Sequence, residues 1–398
     1  MYRGPVTDGA SRDGRRLPLS DVVVADFTRI LAGPLCTMVL ADLGAQVIKI
    51  ERPGAGDDTR TWGPPFVEGD AAYFLSVNRN KQSIALDLAD PDDRAMAREI
   101  ADRSDVLVEN FRSDIMGGLE LGYEELKRTN PSLIYCSMPA FAHPEHRDLP
   151  GYDLMMQALT GFMSITGEEG GEPVKMGVAI LDVVAGLYAA VAILSALHQR
   201  ERDGAGRRVE VGLFEASIAS LVNQAANYLV GGVVPSAFGN AHPNIVPYQA
   251  FPASDGRVVL AAANDKLFRA TCAVLGRPDL AADPRYATNP GRVENREELI
   301  AQMSETFQTA DVDHWADALA DAGVPAAPIR SIDQVFETPE GEAMISTILD
   351  PVRGALRLVQ SPIRYDGLGV AHTPPPRLGE HDQHIRDWVR ATTPARSR

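Results

Sequence analysis

The residue best placed to do chemistry is Asp182. It follows the apolar run MGVAIL, which reads as a strand, and precedes VVAGLYAAVAILSAL, which reads as a buried helix. That spacing puts a carboxylate at the carboxyl edge of a sheet and at a helix N-terminus. Two roles fit the position. As a helix cap, the side chain accepts a backbone N–H and contributes about 0.5–2 kcal/mol. As a nucleophile, it would be held ionised by the helix dipole and attack an activated acyl group, with backbone amides of the same turn stabilising the oxyanion. Pattern alone leaves both open. Other chemistries lack their residues. There is no G-x-x-x-x-G-K-[ST] loop, and no G-x-G-x-x-G follows the first strand; GAGDDTR at 54–60 is a glycine turn of another spacing. Ser164 in GFMSITG is not in a G-x-S-x-G elbow, and the eight histidines form no H-E-x-x-H. His381 and His384, three apart, read as a surface pair. A nicotinamide enzyme, a kinase, a serine hydrolase and a zinc peptidase are therefore disfavoured, and no metal site is expected.

The elements that would position Asp182 alternate strand and helix. Val22–Phe27 is a continuous apolar run, as in a strand buried on both faces. Gly33-Pro34 opens a helix, and Gln46–Arg52 is the next strand, which makes a βαβ unit. Strands follow at Ser83–Leu88, Asp105–Phe111, Leu133–Ser137 and Met176–Leu181, with helices over Pro91–Ser104, Tyr123–Asn130 and Asp153–Thr166. The alternation predicts an α/β fold, a doubly wound and mostly parallel sheet whose ligands sit beyond the carboxyl ends of its strands. After about residue 230, GGVVPSAFGNAHPN reads as a linker into a smaller α+β domain with strands at Tyr248–Phe251 and Arg257–Ala262. AAPIRS and SPIRYD are strand-like pieces that could rejoin the first domain, and the chain closes on a short helix and a basic tail.

The chain has 398 residues, 45% of them apolar, and a formal net charge of −16. Such an acidic protein is a poor partner for nucleic acid or an anionic membrane, so an anionic ligand must be met by local cations. Cys36, Cys136 and Cys272 are an odd number without paired spacing, which fits a reducing cytoplasm. The polar start has no apolar core of a signal peptide. The longest apolar run, Val183 to Leu197, is shorter than the ~20 residues of a membrane span and reads as a buried helix.

Seven segments, in order, closely resemble the class III CoA-transferase family, also called CaiB/BaiF. They are VVVADFTRILAGPLCTMVLADLGAQVIKIERPGAGDDTR, NRNKQSIALDL, DVLVENFR, PGYDLMMQALTGFMSITG, GVAILDVVAGLYAAVAILSAL, FGNAHPNIVPYQAF and PRLGEH. The resemblance implies a CoA-transferase of the formyl-CoA transferase type, with coenzyme A and acyl-CoA as substrates and a carboxylic acid as acceptor. Residues 1–20, with Gly, Arg and Ser, read as a mobile arm; the resemblance implies a Rossmann-like large domain over 21–225 completed by 331–398, a small domain over 226–330, and an interlocked homodimer. It makes Asp182 the nucleophile. It maps coenzyme contacts onto Leu31, Ala32, Arg52, Asn78 to Lys81, Asn110, Phe111 and Arg112, adds Arg29 near the adenine, and puts Tyr152 beside the thioester. The loop holding Asn240, His242 and Asn244 would either close on the substrate carboxylate or serve as a plain linker. Gly118 and MPAFAHPEHRD depart from the family's usual residues.

The same fold includes 2-methylacyl-CoA racemases, which use a G-H-D triplet and a second carboxylate to exchange a proton at an α-carbon. Here the triplet is Gly151-Tyr152-Asp153 and the second position is Asn264. A tyrosine of ordinary pKa near ~10 does not replace a histidine base at neutral pH. The expectation is therefore transfer through covalent aspartyl intermediates. A racemase, or a catalytically silent coenzyme-binding protein, is the alternative.

Overall fold

The computed structural model describes residues 16–112, 114–366 and 369–391. They divide into two compact units, the first holding residues up to 162, 176–232 and 342 onward, the second holding 163–175 and 233–341.

The first unit carries a six-stranded parallel sheet: β1 (Val23–Asp26), β2 (Gln46–Glu51), β3 (Lys81–Ala85), β4 (Val106–Glu109), β5 (Ile134–Ser137) and β6 (Arg207–Glu210), in the order β3-β2-β1-β4-β5-β6. The pleat splits each apolar run between two cores. Val24, Val47, Val106, Val108, Ile134 and Cys136 face α1 (Ala32–Asp42) and the long helix described below. Ala25, Ile48, Leu107 and Tyr135 face α2 (Pro91–Arg103), joined there by Ile385 and Val389 near the chain's end. Burial on both faces is why β1 and β4 carry consecutive apolar residues rather than alternating ones.

Several expectations change. Met176–Leu181 is not a strand: Met176 and Val178 are exposed, and the sheet's last strand is instead β6, after the long helix. β6 was hidden because it reads RRVE, an edge strand with one apolar residue. The helix over Asp153–Thr166 is shorter, α3 (Asp153–Leu159). The apolar run 183–197 lies within α4 (Ile180–Asp203), whose 24 residues are long and apolar enough to cross a membrane, with half of its most apolar stretch buried inside this unit. Gly186 lets α4 approach α1 closely, since a Cβ there would stand 2.6 Å from the carbonyl oxygen of Ala32. The helix stops at Gly204, in the left-handed conformation at φ 71°. Of the expected arm, residues 1–15 lie outside the described residues, whereas Leu17 and Leu19 are buried, and the Leu19 N–H donates to the Leu43 carbonyl at 2.9 Å.

The second unit packs helices on a three-stranded antiparallel sheet, β7 (Tyr248–Pro252), β8 (Arg257–Ala261) and β9 (Ala326–Pro328). β9 is the AAPIRS piece; it pairs with β8 and does not rejoin the first unit. SPIRYD is not a strand. The chain returns to the first unit through the hairpin β10 (Ile345–Asp350) and β11 (Gly354–Val359).

A buried ionic lattice runs under the carboxyl ends of β1 and β2. Asp26 accepts from Lys81 Nζ at 3.1 Å and from the hydroxyls of Thr28 and Thr37. Lys49 Nζ donates to the Thr28 carbonyl at 2.8 Å and pairs with Asp57 at 2.9 Å. Burial alone would raise the pKa of Asp57, yet Lys49 and the Thr59 N–H bring it down to about 2. Burial outweighs Asp26 at Lys81 and lowers that ammonium to about 8. Glu51 accepts two bonds from Arg60, at 2.8 and 2.7 Å, and one from Ser83 at 2.7 Å. Removing one partner from such a pair leaves a buried charge unpaired and costs about 3–5 kcal/mol. Asp26→Asn should lower the unfolding free energy in denaturant titrations by that amount, and Asp26→Leu with Lys81→Met should recover most of it. A loss below about 1 kcal/mol, the worth of an exposed pair, would deny the lattice its structural role.

Candidate active site

Loops at the carboxyl ends of β1, β4 and β5 meet the first turns of α1 and α4 around a cleft of about 340 Å³. Its walls are Arg29–Ala32, Asn110–Arg112, Met138–Ala140, Leu149–Tyr152, and Asp182 with Ala185. The lattice holds the first wall: Lys49 grips the Thr28 carbonyl, and the Ile30 N–H donates to Asp57 at 3.3 Å. Ile30 adopts φ 73°, a conformation β-branched residues avoid, and the surrounding bonds impose it. Asn110 fixes the second wall to the first, accepting from the Arg29 N–H at 2.9 Å and donating to the Arg29 carbonyl at 2.7 Å.

Asp182 lies inside the first turn of α4, not at its cap, which is Ala179. The cap comes from another helix. Asp153 Oδ1 accepts from the Leu181 N–H at 2.8 Å and the Asp182 N–H at 3.4 Å, while Gln157 Nε2 donates to Asp153 Oδ2. Gln157 Oε1 in turn accepts from the Met176 N–H at 2.8 Å. Both sequence roles for Asp182 are thereby revised. It does not cap its helix, and the amides expected to serve the oxyanion are already taken. Nor does the helix dipole hold it ionised: burial, and then the charge of Asp153, push its pKa up to about 7. Among the described residues no side chain donates to its carboxylate, which opens on the cleft.

Arg29, Leu31, Ala32, Asn110, Phe111, Arg112 and Tyr152 are all brought to this cleft with Asp182. The Arg29 guanidinium lies 5.3 Å from the Phe111 ring centre and 3.3 Å from Asp58. Arg52 borders an adjoining hollow shared with Arg29 and Phe111, and pairs with Asp58 at 2.6 Å. Asn78 and Lys81 are corrected. Both are buried, Lys81 Nζ bonding Asp26, Pro34 O and Asn78 Oδ1, so their side chains are engaged inside the fold and neither lines the cleft. Arg79 is likewise buried against Asp42. Asn240, His242 and Asn244 belong to the second unit. There Arg296 donates to the carbonyls of His242 and Pro243, both at 2.9 Å, and the Asn244 N–H donates to His242 Nδ1 at 3.1 Å. Asn264 caps the helix Asp265–Val274 through the Leu267 N–H at 3.0 Å, an ordinary structural duty. His143, Glu145 and His146, in the segment that departs from the family's usual residues, bring their ligand atoms within 4.8 Å of one another on an exposed turn, a grouping not foreseen from spacing.

Sequence reasoning did not single out Asp58 or Gln157, and met Asp153 only as part of the Gly151-Tyr152-Asp153 triplet. Asp153 and Gln157 stand four apart on one helix, but nothing in that spacing tells which backbone they hold.

The family described as CoA-transferase family III matches residues 19–382. Succinyl-CoA:glutarate CoA-transferase of Homo sapiens is 42% identical over 372 residues, covering 92% of this chain and 85% of its own. Succinate–glutarate CoA-transferase of Agrobacterium fabrum is 41% identical over 387 residues, covering 93% and 95%. A CaiB/BaiF family protein of Brucella suis superposes with a TM-score of 0.82 at 42% identity, over 94% of this chain and all of that one (100%). With its sheet, its cleft and its unpaired carboxylate in the arrangement above, the chain belongs to CoA-transferase family III.

Proposed function

We propose that the protein moves coenzyme A from a dicarboxylic acyl-CoA to a carboxylic acid acceptor, with Asp182 as the covalent carrier. The observation that carries this reading is a buried carboxylate, free of any side-chain donor among the described residues, opening on a cleft at the carboxyl edge of the sheet. The names of the relatives support the substrate class. They include succinyl-CoA:glutarate, succinyl-CoA:mesaconate and acetyl-CoA:oxalate CoA-transferases, all with a dicarboxylic acid as acceptor.

An Asp182 oxygen attacks the thioester carbon, the C–S bond breaks, and the CoA thiolate leaves with its electron pair. The thiolate then attacks the aspartyl carbonyl of the mixed anhydride and expels the donor acid as its carboxylate. The acceptor carboxylate attacks the aspartyl thioester, the thiolate leaves again, and its attack on the acceptor's acyl carbon frees Asp182. Each nucleophile is an anion and each leaving group departs as one, so no step requires a general base. Because Asp153 occupies the amides of Leu181 and Asp182, the oxyanions must draw on other donors of the cleft.

Coenzyme A carries phosphates, and Arg29 and Arg52 are placed to meet them beside the cleft once they exchange Asp58 for the ligand. The exposed apolar side chains Leu187, Tyr188 and Val191 on α4, with Val222 and Leu229 on α6 (Val222–Leu229), support a second copy covering this face, as in the interlocked dimer the family resemblance implies.

Assays with succinyl-CoA and a panel of short dicarboxylic acids should show transfer, and Asp182→Ala should abolish it. Residual turnover near a tenth of wild type, about 1.4 kcal/mol of barrier, would exclude the covalent route. The reacting form is the carboxylate and its pKa is raised, so kcat/KM should fall as pH drops below about 7, tenfold per unit well below it. Arg52→Ala should weaken coenzyme binding about tenfold at low salt and less at high salt, the lower end of a charged contact because this side chain is half exposed. An unchanged dissociation constant at low salt would place the phosphates elsewhere. Light scattering should give twice the 42.9 kDa chain mass; a monomer would contradict the covered face.

A further inference from the structure

Two carboxylates compete for the N-terminus of α4, and the one that does not react wins it. Asp153 approaches from α3, is 7% exposed, and takes the N–H groups of Leu181 and Asp182. Its other oxygen accepts from Gln157, itself 1% exposed and anchored on the Met176 N–H. Three N–H donors to one carboxyl is the pattern of an anion held in place. The chain Met176–Gln157–Asp153–Leu181 therefore ties both sides of the bend before α4 to one fixed charge. Asp182, 8% exposed, stands directly beside it with no donor of its own.

We propose that Asp153, tethered by Gln157, is a positioning residue that keeps a fixed negative charge against the nucleophile Asp182, so that acylation of Asp182 relieves the repulsion between them. The inference rests on the reading of Asp182 as the covalent carrier. When an Asp182 oxygen bonds the acyl carbon, the C–S bond breaks and the negative charge leaves with the thiolate sulfur. The aspartyl group is then neutral, and Asp153 no longer faces a like charge. The same repulsion disfavours the ionised free enzyme, in line with the raised pKa of Asp182.

The titratable and charged groups around Asp182 are few. Tyr152 and Asp153 come from the start of α3, Tyr73 from the short helix Ala72–Ser76, and Arg29 and Arg112 from the cleft walls. Of the elements packed on α4, α1 carries Cys36 and Asp42, α5 (Leu213–Ala219) carries Glu215, β5 carries Tyr135 and Cys136, and β6 carries Arg207, Arg208 and Glu210. Besides burial, Asp153 is the group that raises Asp182.

The test is Asp153→Asn, which keeps the shape and removes the charge. The midpoint of the kcat/KM pH profile should move about one unit toward acid, and the plateau near pH 8 should fall about tenfold, the equivalent of that unit. A residue that only braces the helix would lower activity at every pH and leave the midpoint in place, which would overturn the proposal. Asp153→Ser, shorter and neutral, repeats the measurement should the Asn amide clash with that of Gln157. A second readout needs no turnover. A carboxyl whose folded pKa is raised contributes stability that is fully present below its unfolded value and is lost progressively as pH rises from there to about 7. Asp182→Asn should therefore raise the melting temperature most at pH 8 and progressively less toward pH 4. In the Asp153→Asn background the gain at pH 8 should shrink; an equal gain in both backgrounds refutes the coupling. Coupling in this cycle, with no CoA transfer by the wild type, would instead overturn the reading of the function.

Discussion

The site depends on a buried exchange of charge between Asp26, Lys49, Asp57 and Lys81, whose side chains are removed from solvent. Each ion is costly to bury alone, and each is satisfied by an opposite charge together with hydrogen bonds from hydroxyls or to carbonyls. The result is rigidity where an open sheet edge would otherwise have only loops. The Thr28 carbonyl and the Ile30 N–H are both held by this lattice, so the loop after β1 reaches the cleft in one conformation. The unusual backbone of Ile30 is a consequence, since its surroundings leave it no relaxed alternative.

The second constraint is geometric. A helix N-terminus offers a few free amides, and here two acidic side chains lie within reach of them. Asp153 takes the amides from the neighbouring helix α3, and Asp182, inside the turn, is left to the cleft. A carboxylate that capped its own helix would be well stabilised and a poor nucleophile. The arrangement found leaves Asp182 unengaged beside the cleft and gives the stabilising amides to Asp153.

Charge is handled locally throughout. The chain carries a net charge of −16, yet Arg29 and Arg52 gather at one edge of the cleft and share Asp58 as a partner. Arg29 also lies over the Phe111 ring, so a cation and an aromatic face are presented together beside the cleft. Arg29 and Arg52 are partly exposed and their pairs with Asp58 are of the surface kind, weak enough for a phosphate to displace.

The sequence by itself determined the parallel sheet, because a strand covered on both faces carries apolar residues on both, and the consecutive apolar residues of Val22–Ala25, Val47–Ile48 and Val106–Val108 show that pattern. Asp182 was singled out by a strand end that the structure does not contain, and most of the cleft residues were named by the family resemblance, the βαβ order agreeing in sending their loops to one edge. What only the tertiary structure decided is which polar group meets which. Lys81 and Asn78 are hydrophilic in sequence and were expected to meet the coenzyme, but their donors are consumed by Asp26, Pro34 and Phe74 inside the fold. Met176–Leu181 has strand composition, yet no neighbouring strand pairs with it, and the edge is filled by the charged β6. The amides of α4 go to an aspartate 28 residues earlier in the chain. Apolar periodicity records burial, which is a property of each segment. Hydrogen-bond partners are chosen by distance and direction between segments, and those exist only once the chain has folded.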